Sequence, residues 1–241
     1  ANINRLAHGL ALLSRHSAGF FANWPHPRVI LYGGANIPER NDQQPQGYAL
    51  FVGRLLPHKG ILPLIEALAP ATPLRVVGRP YDPAYLERLR EAAVGKNVRF
   101  ILDADDSALG LQYRGASVVL QPSIPVNQGA HDTAELLGLV TLEGMAHGKP
   151  VIVTRTASLP ELVVHGETGF IVEPGDREGL RSSLELLMDD AELSQRMGDA
   201  ARRHVQANFS WNRVAASGLE FYQRLRGHPA ATRSADRVAG L

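Results

Sequence analysis

The sequence predicts an α/β fold in which a parallel β-sheet lies between two layers of helices and is followed by further helices. The first observation is that short, continuously apolar segments alternate with amphipathic ones between residues 48 and 172. Strands that are apolar on both faces need cover on both faces, and their alternation with helices is typical of a parallel sheet. The second observation is that only helical periodicity continues after Asp176.

Six apolar segments are predicted to form the strands of this sheet. They are residues 48–53, 74–78, 98–102, 117–120, 151–154 and 169–172. A seventh segment, Val29–Tyr32, predicts a short strand that precedes the sheet.

Helical periodicity fills the intervals between these strands. The predicted helices are residues 61–69, 83–93, 107–114, 139–147 and 160–164, followed by 177–188, 191–207 and 211–226. Pro63 falls in the first turn of its helix, where proline is tolerated. Asp176 and Asp190 are the predicted N-caps of the first two C-terminal helices.

The composition indicates an ordinary globular protein and excludes several kinds of site. The 241 residues are 44% hydrophobic and 20% charged, with a formal net charge of +1, so we expect no nucleic-acid partner. The absence of cysteine excludes disulfides and thiolate chemistry. No apolar segment approaches the roughly 20 residues of a membrane-spanning helix. The chain begins with Ala1 and has no signal-peptide pattern, so we expect a fragment or an excised domain.

A basic turn follows the first strand of the predicted sheet. Arg54 and Lys59 stand between two glycines, Gly53 and Gly60. In an open α/β sheet, ligands bind beyond the carboxyl ends of the strands, and these two cations suit a phosphate or a diphosphate. The alternative is a solvated loop with incidental basic residues.

Two glutamates flank the predicted start of the helix over residues 139–147. Gly138 is expected to open this helix, so the free N–H groups of residues 138–140 would form an anion site. Glu135 lies before the helix and Glu143 one turn inside it, where each could bind hydroxyls. An alternative for Glu143 is simple complementation of the helix dipole. A glycosidase pair is disfavoured, because its carboxyls lie roughly 5 to 9.5 Å apart, whereas eight helical residues span about 12 Å.

Two further patterns carry less functional weight. His131 and Asp132 are adjacent possible metal ligands without a third, so a metal site is disfavoured. Gly33-Gly34 lacks the glycine spacing of a dinucleotide-binding turn, so a dinucleotide oxidoreductase is not supported.

Taken in order, the motifs resemble the C-terminal domain of retaining GT-B glycosyltransferases of family 4, over about residues 48–225. The motifs that carry this resemblance are Gly53-Arg54, Lys59-Gly60, Pro122-Ser123, Glu135 with Glu143, Gly148-Lys149-Pro150 and Leu159-Pro160-Glu161. The resemblance implies a Rossmann-like sheet, the C-terminal half of a GT-B fold. It also implies transfer of a hexose from a nucleoside diphosphate sugar to a hydroxyl acceptor, with no metal and no cofactor besides the donor.

Carried over to matching positions, the resemblance implies a role for each site residue. Arg54 and Lys59 would bind the donor diphosphate, Glu135 the sugar hydroxyls and Glu143 the ribose hydroxyls, while Ala104 would border the base. The residues implied to bind the donor are Arg54, Lys59, Ala104, Glu135, Leu136, Leu137, Gly138, Leu139 and Glu143, and those implied in catalysis are Arg54, Lys59 and Glu135. Three departures from the family pattern leave the sugar open: Leu136-Leu137, the long loop 124–134 and Ala157–Leu159.

The resemblance also implies a division of the chain and its partners. Residues 1–46 are expected to be an N-terminal remnant and interdomain linker, residues 47–226 the nucleotide-sugar-binding domain with a crossing helix, and residues 227–241 a loose tail. The acceptor-binding N-terminal GT-B domain is expected to be missing, so that the chain alone is inactive. The alternative is a non-catalytic nucleotide-sugar-binding module that needs a separate partner, while a GT-B epimerase or phosphorylase is disfavoured by the motif spacing. We expect a cytoplasmic protein, free or peripheral at the inner membrane.

Overall fold

A computed structural model describes residues 7–40, 45–128, 131–133, 135 and 137–227. Its centre is a six-stranded, entirely parallel sheet. The strands are β3 (Tyr48–Val52), β4 (Leu74–Val77), β5 (Val98–Ile101), β6 (Ala116–Gln121), β9 (Val151–Thr154) and β10 (Gly169–Val172). They confirm the six predicted strands to within a residue or so at each end.

The strand order across the sheet is β10-β9-β6-β3-β4-β5. The chain starts at the middle strand, runs outward to one edge, and then returns to build the other side. The order therefore reverses between β3 and β6, which pair directly at Leu50 and Val119. Parallel α/β sheets form their ligand crevice at this reversal, beyond the carboxyl ends of the two strands.

Helices cover both faces of this sheet, as predicted. They are α2 (Ile61–Ala67), α3 (Pro83–Ala92), α4 (Asp106–Gly115), α5 (Leu139–Ala146), α6 (Arg177–Asp189), α7 (Ala191–Asn208) and α8 (Trp211–Arg226). Asp176 accepts a hydrogen bond from Gly179 N–H and Asp190 one from Leu193 N–H, which confirms the two predicted N-caps. The predicted helix over residues 160–164 is wrong. The chain there forms only a 3₁₀ turn, Leu159–Glu161, after which it leads into the edge strand β10.

Successive residues of the central strands supply two separate apolar cores. Phe51 packs with side chains of α2, α3 and α6 on one face, whereas Leu50 packs with side chains of α4, α5 and α7 on the other. Neighbouring strand residues point to opposite faces of a sheet, so a continuous apolar segment fills both cores. Tyr113 of α4 and Met145 of α5 are among the largest fully buried side chains of the second core.

The N-terminal part of the chain, expected to be a remnant and a linker, contains secondary structure. The segments β1 (Leu10–Leu12) and β2 (Arg28–Ile30) pair in parallel, and α1 (Arg15–Gly19) lies between them. The carboxylate of Glu161 accepts hydrogen bonds from the N–H groups of Arg15 and His16, both at 2.7 Å, and from the Tyr32 hydroxyl at 2.8 Å. This carboxylate joins the N-terminal unit to the sheet domain.

Two other segments differ from expectation or lie outside the described residues. The loop 124–134 contains an antiparallel hairpin of β7 (Val126–Gln128) and β8 (His131–Thr133). The predicted tail 227–241 lies outside the described residues except for Gly227. Among the described helices, none combines the length and apolar character that crossing a membrane requires.

We predict that the fold requires glycine at position 138, because a side chain there would overlap neighbouring leucine side chains. It has φ +60°, and a Cβ there would lie 2.6 Å from Leu162 Cδ1 and 2.9 Å from Leu159 Cδ2. Gly95 is a matched control, with φ +75° and nothing within 4 Å of an added Cβ. Gly95→Ala should cost about 1 to 2 kcal/mol of unfolding free energy through backbone strain alone. Gly138→Ala should cost about 1 to 3 kcal/mol more through overpacking.

Urea denaturation of the two variants beside the unchanged chain measures both costs. Equal losses of stability in the two variants would show that the contacts of Gly138 with Leu159 and Leu162 impose no constraint.

Candidate functional site

The loops that follow β3 and β6 meet at the strand-order reversal. The N–H of Ile124 donates to the carbonyl of His58 at 2.9 Å. Gly60 has φ +69°, and a Cβ at this position would lie 1.9 Å from the carbonyl oxygen of Pro122. The close approach explains the glycine at the end of the basic turn, and it holds that turn against the loop of the neighbouring strand.

Lys59 and Glu135 form an ion pair in this crevice, although they are 76 positions apart. Each side chain is 13% exposed, so the pair is largely removed from water. The Ser123 hydroxyl lies 3.5 Å from the same carboxylate oxygen, and the Ser158 hydroxyl donates to the Glu135 carbonyl at 2.8 Å. The structure thus brings two of the predicted site residues together and anchors the backbone of one of them.

Arg54 does not join this pair in the described contacts. Its side chain is exposed, and the guanidinium carbon lies 5.9 Å from the ring centroid of Tyr81. The second predicted cation is therefore exposed to solvent and stands apart from the Lys59–Glu135 pair.

The N-terminus of α5 opens beside Glu135 and has no side-chain cap among the described residues. Its N-cap, Gly138, is in the left-handed conformation with φ 60° and ψ 35°. The first N–H groups of a helix lack intrahelical partners and carry the positive end of the dipole. The hydroxyl of Thr141, a first-turn side chain, donates to Gln121 instead of capping the helix. The amides of Leu139 and Val140 are therefore available to an anion.

The two leucines next to Gly138 form an apolar border at this helix end. Leu139 is partly exposed, and its Cδ2 lies 2.5 Å from the position of a Cβ added to Gly33. Leu137 is partly buried, with its Cδ2 at 3.6 Å from that position. Leu136, the third of the predicted residues in this stretch, lies outside the described residues.

Glu143 lies one turn inside α5 and is paired with a tyrosine. The Tyr113 hydroxyl donates to Glu143 Oε2 at 2.7 Å. Burial raises the pKa of the Glu143 carboxyl, the hydrogen bond from Tyr113 opposes this shift, and the charge of Asp106 adds to it. Glu143, which accepts from a neutral tyrosine hydroxyl, thus has a different environment from Glu135, which pairs with the Lys59 cation.

A cavity of about 450 Å³ lies beside Glu143. Its walls come from α4, α5, the first residue of α8 and the linker that follows β2. The lining residues are Gly34, Ala35, Asn36, Asp106, Leu109, Gly110, Tyr113, Leu139, Glu143, His147 and Trp211. Its size and its mixture of apolar walls with a few polar groups are typical of a small-molecule site.

Ala104 does not line this cavity. It is partly buried and packs against the second apolar core. The loop that carries it leads into α4, whose first residue, Asp106, does line the cavity. The structure therefore places the predicted loop at the border of the site but assigns the wall to Asp106 and Leu109 rather than to Ala104.

Sequence reasoning missed the contributions of Tyr113, Trp211 and the Gly33-Gly34 pair. A Cβ on Gly34 would lie 2.6 Å from Trp211 Cδ2, so the linker passes directly under the start of α8. The glycine pair was a usable signal, since adjacent glycines after a strand indicate a close backbone approach. Tyr113 gave no such signal, because an aromatic residue on an amphipathic helix ordinarily indicates core packing.

The described residues contain no cluster of three or more His, Cys, Asp and Glu side chains that could hold a metal ion. The backbones of His131 and Asp132 lie in β8, and their side chains are outside what the structure describes.

Comparisons with known proteins match this architecture. Residues 35–204 match the family described as glycosyl transferases group 1. The chain is 37% identical over 185 residues to the D-inositol 3-phosphate glycosyltransferase of Corynebacterium glutamicum, covering 71% of this chain and 42% of the relative. It is 30% identical over 180 residues to the glycogen synthase of Mycobacterium tuberculosis, covering 72% and 41%. The chain thus spans about half the length, or less, of these curated relatives.

Solved structures share the fold. The sucrose-phosphate synthase of Thermosynechococcus elongatus superposes with a TM-score of 0.75 at 27% identity, over 92% of this chain and 59% of that one. Anabaena HepE in complex with UDP and glucose gives 0.74 at 22% identity, over 93% and 65%. The C-terminal domain of a Francisella tularensis glycosyl transferase group 1 protein gives 0.56 at 23% identity, over 75% and 96%.

The match of residues 35–204 covers well over half of the chain, and the relatives with this identity and coverage are glycosyltransferases. The Rossmann-like sheet is the fold found in GT-B glycosyltransferase structures. The chain belongs to the glycosyl transferases group 1 family and is of the GT-B type.

Proposed function

We propose that this chain is the donor-binding part of a retaining glycosyltransferase of family 4, which transfers a hexose from a nucleoside diphosphate sugar to a hydroxyl acceptor. The carrying observation is that Lys59 and Glu135 pair although they follow the neighbouring strands β3 and β6, and that Glu135 stands three positions before Gly138, where α5 begins without a side-chain cap. This juxtaposition supplies a cation, free N–H donors and a carboxylate acceptor within one crevice.

The chemistry of a nucleoside diphosphate sugar matches these groups. The diphosphate would bind the amides of Leu139 and Val140 together with Lys59 and the exposed Arg54. The sugar hydroxyls would donate to Glu135 and the ribose hydroxyls to Glu143 beside the cavity. Anabaena HepE, which shares the fold, has been crystallised with UDP and glucose, and this supports a ligand of that class.

Catalysis in this proposal is electrostatic. As the bond between the anomeric carbon and the diphosphate breaks, negative charge develops on the leaving oxygens. Lys59, Arg54 and the N–H groups of α5 would stabilise that charge from preorganised positions. The protein would use no metal and no cofactor besides the donor, and the acceptor hydroxyl would attack from the face that keeps the anomeric configuration. A cytoplasmic location, free or peripheral at the inner membrane, is part of the same proposal.

The alternative is a non-catalytic nucleotide-sugar-binding module that needs a separate partner domain. Under either proposal the chain covers only 41% to 50% of the length of the glycosyltransferase relatives cited above. Binding experiments on the chain test the donor site, and transfer experiments separate the two alternatives.

Removing the Lys59 charge should weaken nucleoside diphosphate binding. Isothermal titration with UDP, GDP and ADP should find binding to the chain, and Lys59→Met and Arg54→Ala should each cost roughly 1.5 to 3 kcal/mol, the value of a charge-assisted contact. Lys96→Met is the matched control, because Lys96 donates to the carbonyls of Ile65, Glu66 and Leu68 and should affect stability alone. Unchanged affinity in both site variants, or no binding of any nucleotide, would contradict the proposal.

The two glutamates should have separable roles. Glu143→Gln should weaken the plain nucleoside diphosphate and its sugar to the same extent, because both contain the ribose. Glu135→Gln also removes the ion-pair partner of Lys59, so it should change the affinities for the plain diphosphate and for its sugar unequally, because only the sugar loses an acceptor for its hydroxyls. Titrations of both variants with a matched pair, UDP and UDP-glucose for example, measure the difference. The assignment fails if each variant changes the two affinities equally.

The 241-residue chain alone is predicted to transfer no sugar. Glycosyl transfer requires the acceptor beside the donor and water excluded, and this chain supplies one wall of such a site. A radiolabelled donor assay with a broad acceptor set should show no turnover until the N-terminal half of a relative is fused to the chain. Transfer by the chain alone would place catalysis within these residues. Persistent inactivity of fusions that bind donor normally would favour the non-catalytic module.

A further inference from the structure

Tyr113 is 2% exposed and lines the cavity, where it contacts Glu143 of α5 and His147, the residue that follows this helix. Its hydroxyl donates to Glu143 Oε2 at 2.7 Å. Its ring stacks on the imidazole of His147, with the ring centroids 4.8 Å apart and the planes 20° from parallel. His147 Nδ1 in turn lies 2.8 Å from the Glu143 carbonyl oxygen. These contacts fix the tyrosine hydroxyl relative to the helix that carries Glu143.

The hydrogen bond restricts the Glu143 carboxylate without using all of its acceptor capacity. A carboxylate has two oxygens and about four lone-pair directions, and Tyr113 occupies one of them. No other side-chain hydrogen bond to this carboxylate is found among the described residues. Glu143 can therefore still accept from a ligand in the cavity while its orientation is held from below.

We propose that Tyr113 is the positioning residue of the donor site and orients the Glu143 carboxylate to accept hydrogen bonds from the ribose 2′- and 3′-hydroxyls. This inference rests on the proposed function, because it assumes that Glu143 meets the ribose. A purely structural tyrosine would instead stabilise the second apolar core, whatever the ligand carries at its ribose.

Burial explains why Glu143 needs such a donor. An ionised carboxylate that is removed from water is costly unless it accepts hydrogen bonds. Asp106 faces the same carboxyl from the start of α4, and its negative charge raises the pKa of Glu143 further. His147, which burial keeps towards the neutral form by lowering its pKa, supplies no compensating charge. The Tyr113 hydroxyl is therefore the group that favours the ionised, hydrogen-bond-accepting form.

The test uses ligands that differ only at the ribose. The best-binding of UDP, GDP and ADP is compared with its 2′,3′-dideoxy analogue by isothermal titration against the 241-residue chain. Tyr113→Phe removes only the hydroxyl and should weaken the ribonucleotide roughly tenfold, as expected for one hydrogen bond to a charged acceptor. It should leave the dideoxy affinity unchanged. In the Glu143→Ala background, Tyr113→Phe should have little further effect, because the carboxylate that the hydroxyl orients is then absent.

Tyr85→Phe is the matched control, since Tyr85 is similarly buried but packs in the first apolar core against α2. It should change neither affinity. Urea denaturation of each variant shows whether the fold is kept, and the comparison of two ligands on one variant remains valid even if stability falls.

A pH series adds a second readout. In Tyr113→Phe the pKa of Glu143 should rise further, so the preference for ribose over dideoxyribose should be lost as pH falls and should recover as pH rises. In the unchanged chain the same loss should occur at lower pH. Titration of the ligand phosphates affects both nucleotides equally and cancels in the ratio of their affinities.

Two results would overturn the inference. Equal weakening of both ligands by Tyr113→Phe would make the residue structural, and an unchanged ribonucleotide affinity would remove any role for its hydroxyl. Failure of the proposed function has a different signature: the unchanged chain would bind neither nucleotide, or would bind the two equally well.

Discussion

The start of α5 at Gly138 is the constraint on which the site depends. A left-handed residue packed against Leu159 and Leu162 sets the point at which the helix begins and the direction of its first N–H groups. A side-chain cap would satisfy those groups and close the site. At the other end, Arg202 donates to the carbonyl of Ala146 at 2.6 Å, so the negative end of the dipole is compensated by a cation. The helix is thus stabilised at the end away from the crevice and left open at the end that faces it.

The two glutamates around this helix illustrate how environment separates the roles of identical side chains. Glu135 has a cation, Lys59, as its neighbour, and both side chains are largely removed from water. Glu143 has a neutral hydroxyl as its donor and a carboxylate, Asp106, in its field. Removing one partner of a buried ion pair typically costs about 3 to 5 kcal/mol, because the other charge is left uncompensated. Lys59 and Glu135 therefore depend on each other before any ligand arrives. The same pair offers a donor and an acceptor to a ligand that carries both phosphate and hydroxyl groups.

The sequence contained most of the fold but only part of the site. Apolar segments such as Val151–Thr154 predicted strands with the observed bounds, because burial on both faces leaves no polar position within them. Ligands of parallel sheets bind beyond the carboxyl ends of the strands. This rule also placed Lys59 and Glu135 in one region, where they form an ion pair. Tyr113 could not be assigned in this way, since its hydroxyl meets a residue 30 positions away and only packing decides which one. Ala104 and Arg54 show the converse limit. They stand near residues of the cavity and of the ion pair in the sequence, but the cavity is lined by Asp106 and Leu109 and the ion pair is formed by Lys59 and Glu135.

The 3₁₀ turn Leu159–Glu161 links the crevice to the N-terminal unit. Ser158, just before the turn, donates to the backbone of Glu135, whereas Glu161 at its end accepts from two N–H groups of α1 and from Tyr32. Burial and the neighbouring Glu161 raise the pKa of Tyr32 to about 12, so this hydroxyl stays a donor at any physiological pH. The two contacts lie only three positions apart, and Leu159 between them also packs against Gly138. Displacing the N-terminal unit relative to the sheet would therefore require breaking charge-assisted hydrogen bonds beside the residue that starts α5.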